Sequence, residues 1–120
     1  MENIAKRIKY SAELLNDFIF DWNANTRELY IPVEWKNLIG YTDGEIENSL
    51  TGLMHTVDET NKDESLCNLE KLIKGEIVIA KSTKKIRCKD GSIKWFSVAA
   101  KVVEWNADGP PARIIACIPI

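Results

Sequence analysis

The run Ile86-Arg87-Cys88-Lys89-Asp90-Gly91-Ser92-Ile93-Lys94-Trp95 sets two strand-like stretches on either side of an Asp-Gly turn. Asp-Gly accommodates the positive φ that a tight hairpin needs, so the stretches are predicted to pair back on each other. Extended outward, the two strands cover about residues 78–88 and 93–104. A third, about 113–118, follows the loop Asn106-Ala107-Asp108-Gly109-Pro110-Pro111, whose proline pair belongs in a connection rather than a central strand.

Before the hairpin the chain is helical. Leu66, Leu69, Leu72 and Ile73 form an apolar stripe at helical spacing, and Gly75 ends it. Thr56-Val57-Asp58-Glu59 has the spacing of a capping box at the head of that helix. Thr42 and Glu45 form another such box, flanked by Tyr41 and Ile46 as a hydrophobic staple. Pro32 opens a short helix over about 33–39, with Gly40 suited to the left-handed closing position. Earlier still, residues 17–23 alternate Phe18, Phe20 and Trp22 against Ile19 and Asp21, a strand pattern. The turn residues Asn23-Ala24-Asn25-Thr26 return the chain as a second short strand over about 28–31. Residues 1–16 place Ile4, Ile8, Ala12 and Leu15 on one face of an amphipathic helix.

Two strands, several helices and three antiparallel strands make an α+β domain, a five-stranded antiparallel sheet with the middle helices on one face. Phe96, Val98, Ala100 and Val102 are expected to point at those helices. Their neighbours Trp95, Ala99 and Val103 are also largely apolar, and Ile114 to Ile118 run apolar on both sides. A sheet with one wet face alternates cleanly, so the second face of this one calls for a cover. The helix 1–16 is the candidate, on or near that face, and a partner subunit is the next. The expected organisation is therefore a flanking, dimerising helix over 1–16 and one domain over 17–120.

At 120 residues, 45% hydrophobic and 28% charged, the chain has the make-up of one globular domain. Its 16 basic and 18 acidic residues leave a net charge of −2, so no overall field favours nucleic acid or anionic lipid. The basic run Lys81, Lys84, Lys85, Arg87 and Lys89 reads instead as a solvated sheet edge, with Lys81, Lys85, Arg87 and Lys89 on one face. No apolar run nears the ~20 residues of a membrane span. Cys67, Cys88 and Cys117 are widely spaced, without a CxxC pair, which argues against zinc and for isolated buried thiols in a reducing cytosol. There is no Ser/His/Asp set, phosphate-cradling glycine loop or framed carboxylate pair, so an enzyme is not expected.

The hairpin residues Arg87, Asp90, Gly91 and Trp95, with Gly40, Tyr41, Thr42 and Glu45 upstream, resemble the PAS domain, a sensory module. Trp22-Asn23 stands where the most similar PAS subclass ends its first strand with Trp-Asp. A His-Pro-Asp-Asp element is half kept as His55 and Asp58, with Thr56 and Val57 between. The resemblance covers residue 17 to the C-terminus. It implies a signalling role, often within bacterial histidine kinases, diguanylate cyclases or chemoreceptors, with a covalently linked output domain beyond residue 120.

With the family analogy, strand parity nominates Phe20, Trp22, Met54, Leu69, Phe96, Val98 and Ala116 as lining of an internal ligand cavity. Ile4, Ile8, Ala12, Leu15 and Trp95 are nominated as a homodimer face. Some PAS domains bind haem through a histidine on the long helix, but His55 precedes that helix and is expected to bond the helix start or a neighbouring carboxylate. Flavin-binding members use an Asn-Cys-Arg-Phe-Leu-Gln motif, which Ser65-Leu66-Cys67-Asn68-Leu69 does not reproduce, so Cys67 is expected to be a core or groove thiol. No cofactor, metal or nucleic acid is expected. The location expected is cytoplasmic, including the cytosolic part of a larger membrane-anchored sensor.

Overall fold

Alternation along the first strand sets the frame for the whole molecule. In the computed structural model, which describes residues 17–119, Asp17–Asn23 (β1) pairs antiparallel with Glu28–Tyr30 (β2). The turn between them is held by Asn23, whose Oδ1 accepts from the N–H of Asn25 at 3.0 Å and of Thr26 at 3.1 Å. Asparagine therefore serves well at this strand end, because an Asx turn needs only the side-chain oxygen.

The helical section comprises Val33–Leu38 (α1), a 3-10 turn Asp43–Glu45, Leu50–Met54 (α2), a second 3-10 turn Glu59–Asn61 and Lys62–Ile73 (α3). Gly40 and Gly75 adopt φ of +91° and +75° after α1 and α3, the left-handed closures expected of them. The Glu45 carboxylate accepts from the Thr42 N–H and hydroxyl at 2.9 and 3.0 Å, as the first box predicts. The second box does not form. Thr56 turns its hydroxyl to the Leu53 carbonyl, and Asp58 instead caps the turn Glu59–Asn61 by accepting from the Thr60 N–H. The cause is tertiary: Val57 bridges Ile86, so residues 56–58 are extended against the sheet edge and α3 starts later.

The remaining strands are Ile79–Arg87 (β3), Ile93–Trp105 (β4) and Pro111–Pro119 (β5), and the sheet order is β2-β1-β5-β4-β3, antiparallel throughout. Pro111 lies in β5 rather than in the loop, at its first residue, where no ladder donor is required. The β3–β4 hairpin is one step looser than a two-residue Asp-Gly turn. Gly91 donates to the Cys88 carbonyl and Cys88 to the Ser92 carbonyl, with only Gly91 (φ +88°) in the left-handed region. Asp90 contributes through its side chain, which accepts from the Ser92 N–H and hydroxyl.

The inner face of the sheet carries the main core. Trp35 is fully buried, edge-on to Phe20 with ring centroids 5.1 Å apart, among Ile31, Ile39, Ile86 and Ile118. Leu72 anchors α3 beside Ala80, Val102 and Ile114, whereas Leu66 and Ile73 are exposed, so only part of the predicted stripe faces inward. The outer face is uneven. Ile19, Ile115 and Cys117 are buried there with Ala99 and Val103, but Trp95 is 62% exposed. The double-sided burial of β5 accounts for its unbroken apolar run. Segment 1–16, with Ile4, Ile8, Ala12 and Leu15, lies outside the described residues. Among the described residues no helix is long and apolar enough to cross a membrane.

Candidate functional site: an apolar cavity with one cation on its wall

Between the inner face of the sheet and helices α2 and α3 lies a half-open cavity of about 150 Å³. β1 supplies Phe20 and Trp22, β4 Val98 and β5 Ala116, at positions strand parity turns inward, and α2 and α3 add Met54 and Leu69. Phe96 also points inward but lies outside this lining. Its ring packs on Trp35 at 5.9 Å between centroids, filling core beside the cavity. Trp35, Leu50 and Leu53 complete the helical side, and the sequence did not single them out because α1 and α2 are too short for a clear apolar stripe.

Four polar side chains interrupt the lining: Ser65 and Asn68 on α3, and Ser82 and Lys84 on β3. Lys84 Nζ donates to Ser65 Oγ at 2.7 Å, and that hydroxyl donates to the Asn61 carbonyl at 2.9 Å. Asn61 in turn accepts from the Lys85 N–H at 2.8 Å. A chain of polar contacts thus ties α3 to β3. Burial pushes the Lys84 ammonium below its ordinary pKa, opposed by the Glu64 charge. The Nε1 atoms of Trp22 and Trp35 are buried without an acceptor among the described residues.

The sequence elements that carried the resemblance meet in space. Lys89, in the hairpin, donates its N–H to the Ile39 carbonyl at 3.0 Å and its ammonium to Glu45 at 2.5 Å. That ammonium and the Thr42 donors hold the Glu45 carboxyl down at about 2. The half-kept histidine element joins too: Arg87 donates to the Thr56 carbonyl and Asp58 to the Lys85 carbonyl. The edge of β3 is therefore partly paired, and Lys85 lies over the Trp95 ring at 4.8 Å to the centroid.

A lysine of a different kind stabilises the loop before α2. Lys36 is fully buried, and its ammonium reaches the carbonyls of Asp43 and Ile46, Asp43 Oδ1 and Asn48 Oδ1, all within 2.8–2.9 Å. Sequence alone hid it, since a single lysine on a short helix carries no sign of burial. Ser49 then caps α2 by accepting from the Gly52 N–H. On the outer face Asp21 and Arg113 form a buried ion pair.

His55 is exposed at the end of α2, without a side-chain hydrogen bond among the described residues, because the helix it was expected to cap begins elsewhere. Cys67 is exposed on α3 rather than a core or groove thiol, while Cys88 and Cys117 are buried. Among the described residues no three His, Cys, Asp or Glu side chains are grouped to hold a metal.

A model of the PAS fold family matches residues 28–118. Among solved structures, the chain is similar to a sensory box histidine kinase/response regulator from Burkholderia thailandensis, at 20% identity and a TM-score of 0.70, covering 93% of this chain and 82% of that one. It is similar to the N-terminal domain of a diguanylate cyclase with PAS/PAC sensor from Marinobacter aquaeolei, at 17% identity and a TM-score of 0.70, covering 85% and 92%. It is also similar to the PAS-B domain of Drosophila melanogaster Cycle with bound glycerol, at 16% identity and a TM-score of 0.65, covering 85% and 97%. At these identities the likeness is one of fold. No curated protein matches the chain.

Proposed function

Because the chain belongs to the PAS fold family, we propose that it works as a sensory module of signal transduction. It detects a small ligand or a partner and relays the change through helices flanking the sheet to an output domain outside this chain. The observation that carries the reading is the apolar cavity between the sheet and α2–α3. Small-molecule sites are concave, mostly apolar and carry a few placed polar groups, a description this cavity meets. The Lys84–Ser65–Asn61 contacts give a route out of it, since anything that disturbs Lys84 changes how α3 sits on β3. A ligand shifts such an equilibrium only through its differential affinity for the two arrangements.

The module belongs, on this reading, to the PAS subclass marked by Trp22 and the Arg87–Trp95 hairpin, acts in the bacterial cytoplasm within a histidine kinase or diguanylate cyclase, and uses no haem, flavin or metal. Exposure of His55 and Cys67 supports that last point. A second reading, a ligand-free dimerisation scaffold, draws on the exposed outer-face residues Trp95, Ile93 and Ile79. Thermal shift against a panel of small apolar compounds separates the two. Sensing predicts that some compound raises Tm, and that Val98→Phe, which fills the cavity, removes the response. No response from any compound, with a dimer in sedimentation that Trp95→Asp or Ile8→Asp disrupts, would replace sensing by scaffolding.

A further inference from the structure

Lys84 is out of place on an apolar wall. Neighbours at even positions on β3, Ala80, Ser82 and Ile86, share its inward face, while Lys81, Lys85 and Arg87 alternate outward. An ammonium has three N–H donors, and this one has a single hydrogen-bond partner, Ser65 Oγ, and no ion pair among the described residues. Glu64, the acidic group that acts on it, is exposed and accepts a hydrogen bond from the Asn61 side-chain amide instead. A partly buried cation with spare donors retains a desolvation cost that an anion can offset. The rest of the wall is almost wholly apolar, so the site offers one positive charge in apolar surroundings.

The space beside it limits what the anion can be. A cavity of about 150 Å³ matches the size that takes a single benzene ring. One ammonium balances a single negative charge, which suits a carboxylate better than a phosphate dianion. We propose that the cavity selects a small apolar monocarboxylate, about the size of benzoate, whose acid group takes the spare donors of Lys84 while its ring lies among Met54, Leu69, Val98 and Ala116. This rests on the ligand-sensing reading and adds the chemical class. The carboxylate takes N–H groups that Ser65 leaves free on the same ammonium, so binding changes the setting of the Lys84–Ser65 contact between β3 and α3.

The test titrates benzoate and its neutral counterpart benzyl alcohol into the full chain, by calorimetry and by the fluorescence of Trp22 and Trp35. Wild type is expected to bind benzoate about 10- to 100-fold more tightly than benzyl alcohol, the size of one charge-assisted hydrogen bond. Lys84→Met should abolish that preference and leave benzyl alcohol binding unchanged. Lys85→Met, on the outer face, should retain it, which controls for net charge. If Lys84→Met does not fold, Lys84→Gln keeps a donor for Ser65 without the charge and must show the same loss. Equal affinity for the two compounds, both blocked by Val98→Phe, overturns the anion assignment and leaves the sensor standing. Failure of either compound, and of the wider panel, to bind overturns both.

Discussion

Replacing Lys36 by methionine keeps the length of the side chain and removes the charge at the most buried cation among the described residues. Four acceptors converge on its ammonium, one more than its three N–H groups can serve singly, so at least one bond is shared. Asp43 is largely exposed, and water replaces the ammonium at its carboxylate with little loss. The Ile46 carbonyl is buried, and an acceptor stranded there costs about 1–3 kcal/mol, whereas Asn48, like Asp43, is exposed and can turn to water. Against this, methionine avoids the desolvation penalty that the ammonium carries. The balance is a net loss of about 1–3 kcal/mol, or a fall in Tm of about 4–12 °C at roughly 4 °C per kcal/mol for a domain of this size. Urea and thermal denaturation measure the total. Hydrogen exchange locates it, with faster exchange expected at residues 43–49. Asp43→Asn is the control and should cost less than about 1 kcal/mol. A Lys36→Met protein as stable as wild type, or an Asp43→Asn protein as damaged as Lys36→Met, would refute the account of Lys36 as a multi-acceptor tie.

Three further outcomes follow from the geometry. A Cβ at Gly52 would meet the Glu47 carbonyl oxygen at 2.1 Å, so Gly52→Ala must displace backbone and should lower stability by about 1–3 kcal/mol in denaturant melts, moving the α2 wall of the cavity. Asp21→Ala leaves Arg113 charged and buried, with a cost of about 3–5 kcal/mol expected, whereas Asp21→Ala with Arg113→Met should recover much of it; a double variant no better than the single contradicts this. Lys89 and Thr42 hold Glu45 at about 2 in the folded state against 4.5 for an ordinary glutamate, so its contribution is present above about pH 4.5 and disappears as pH falls through 2. The stability gap between wild type and Glu45→Gln should close over that window, and a gap unchanged from pH 6 to pH 2 would show that the Lys89 contact is not formed in solution.

Local signals were legible where one residue type serves one local geometry. Gly40, Gly75 and Gly91 take the left-handed backbone their positions implied, and Thr42 with Glu45 forms its box. The same chemistry at Thr56 and Glu59 failed, because pairing with Ile86 outcompeted a cap that had only local bonds to offer. For the cavity, strand parity and family analogy together nominated seven residues; Phe20, Trp22, Met54, Leu69, Val98 and Ala116 lie along the space, while Phe96 went to Trp35. Lys84 was hidden in a basic run that looked like a solvated edge, although its even position already separated it from its neighbours.

Alternation, turn residues and helix punctuation by themselves determined the order of elements, the pairing of β3 with β4 and the inward side of each strand, because these depend on contacts between residues close in sequence. Which inward side chains pack solid and which leave space depends on how helices from one part of the chain settle on strands from another. The burial of Lys36, the pairing of Asp21 with Arg113 across 92 positions and the cation on the cavity wall were decided there. Each is a long-range compensation of charge or volume, and a one-dimensional pattern carries no record of its partner.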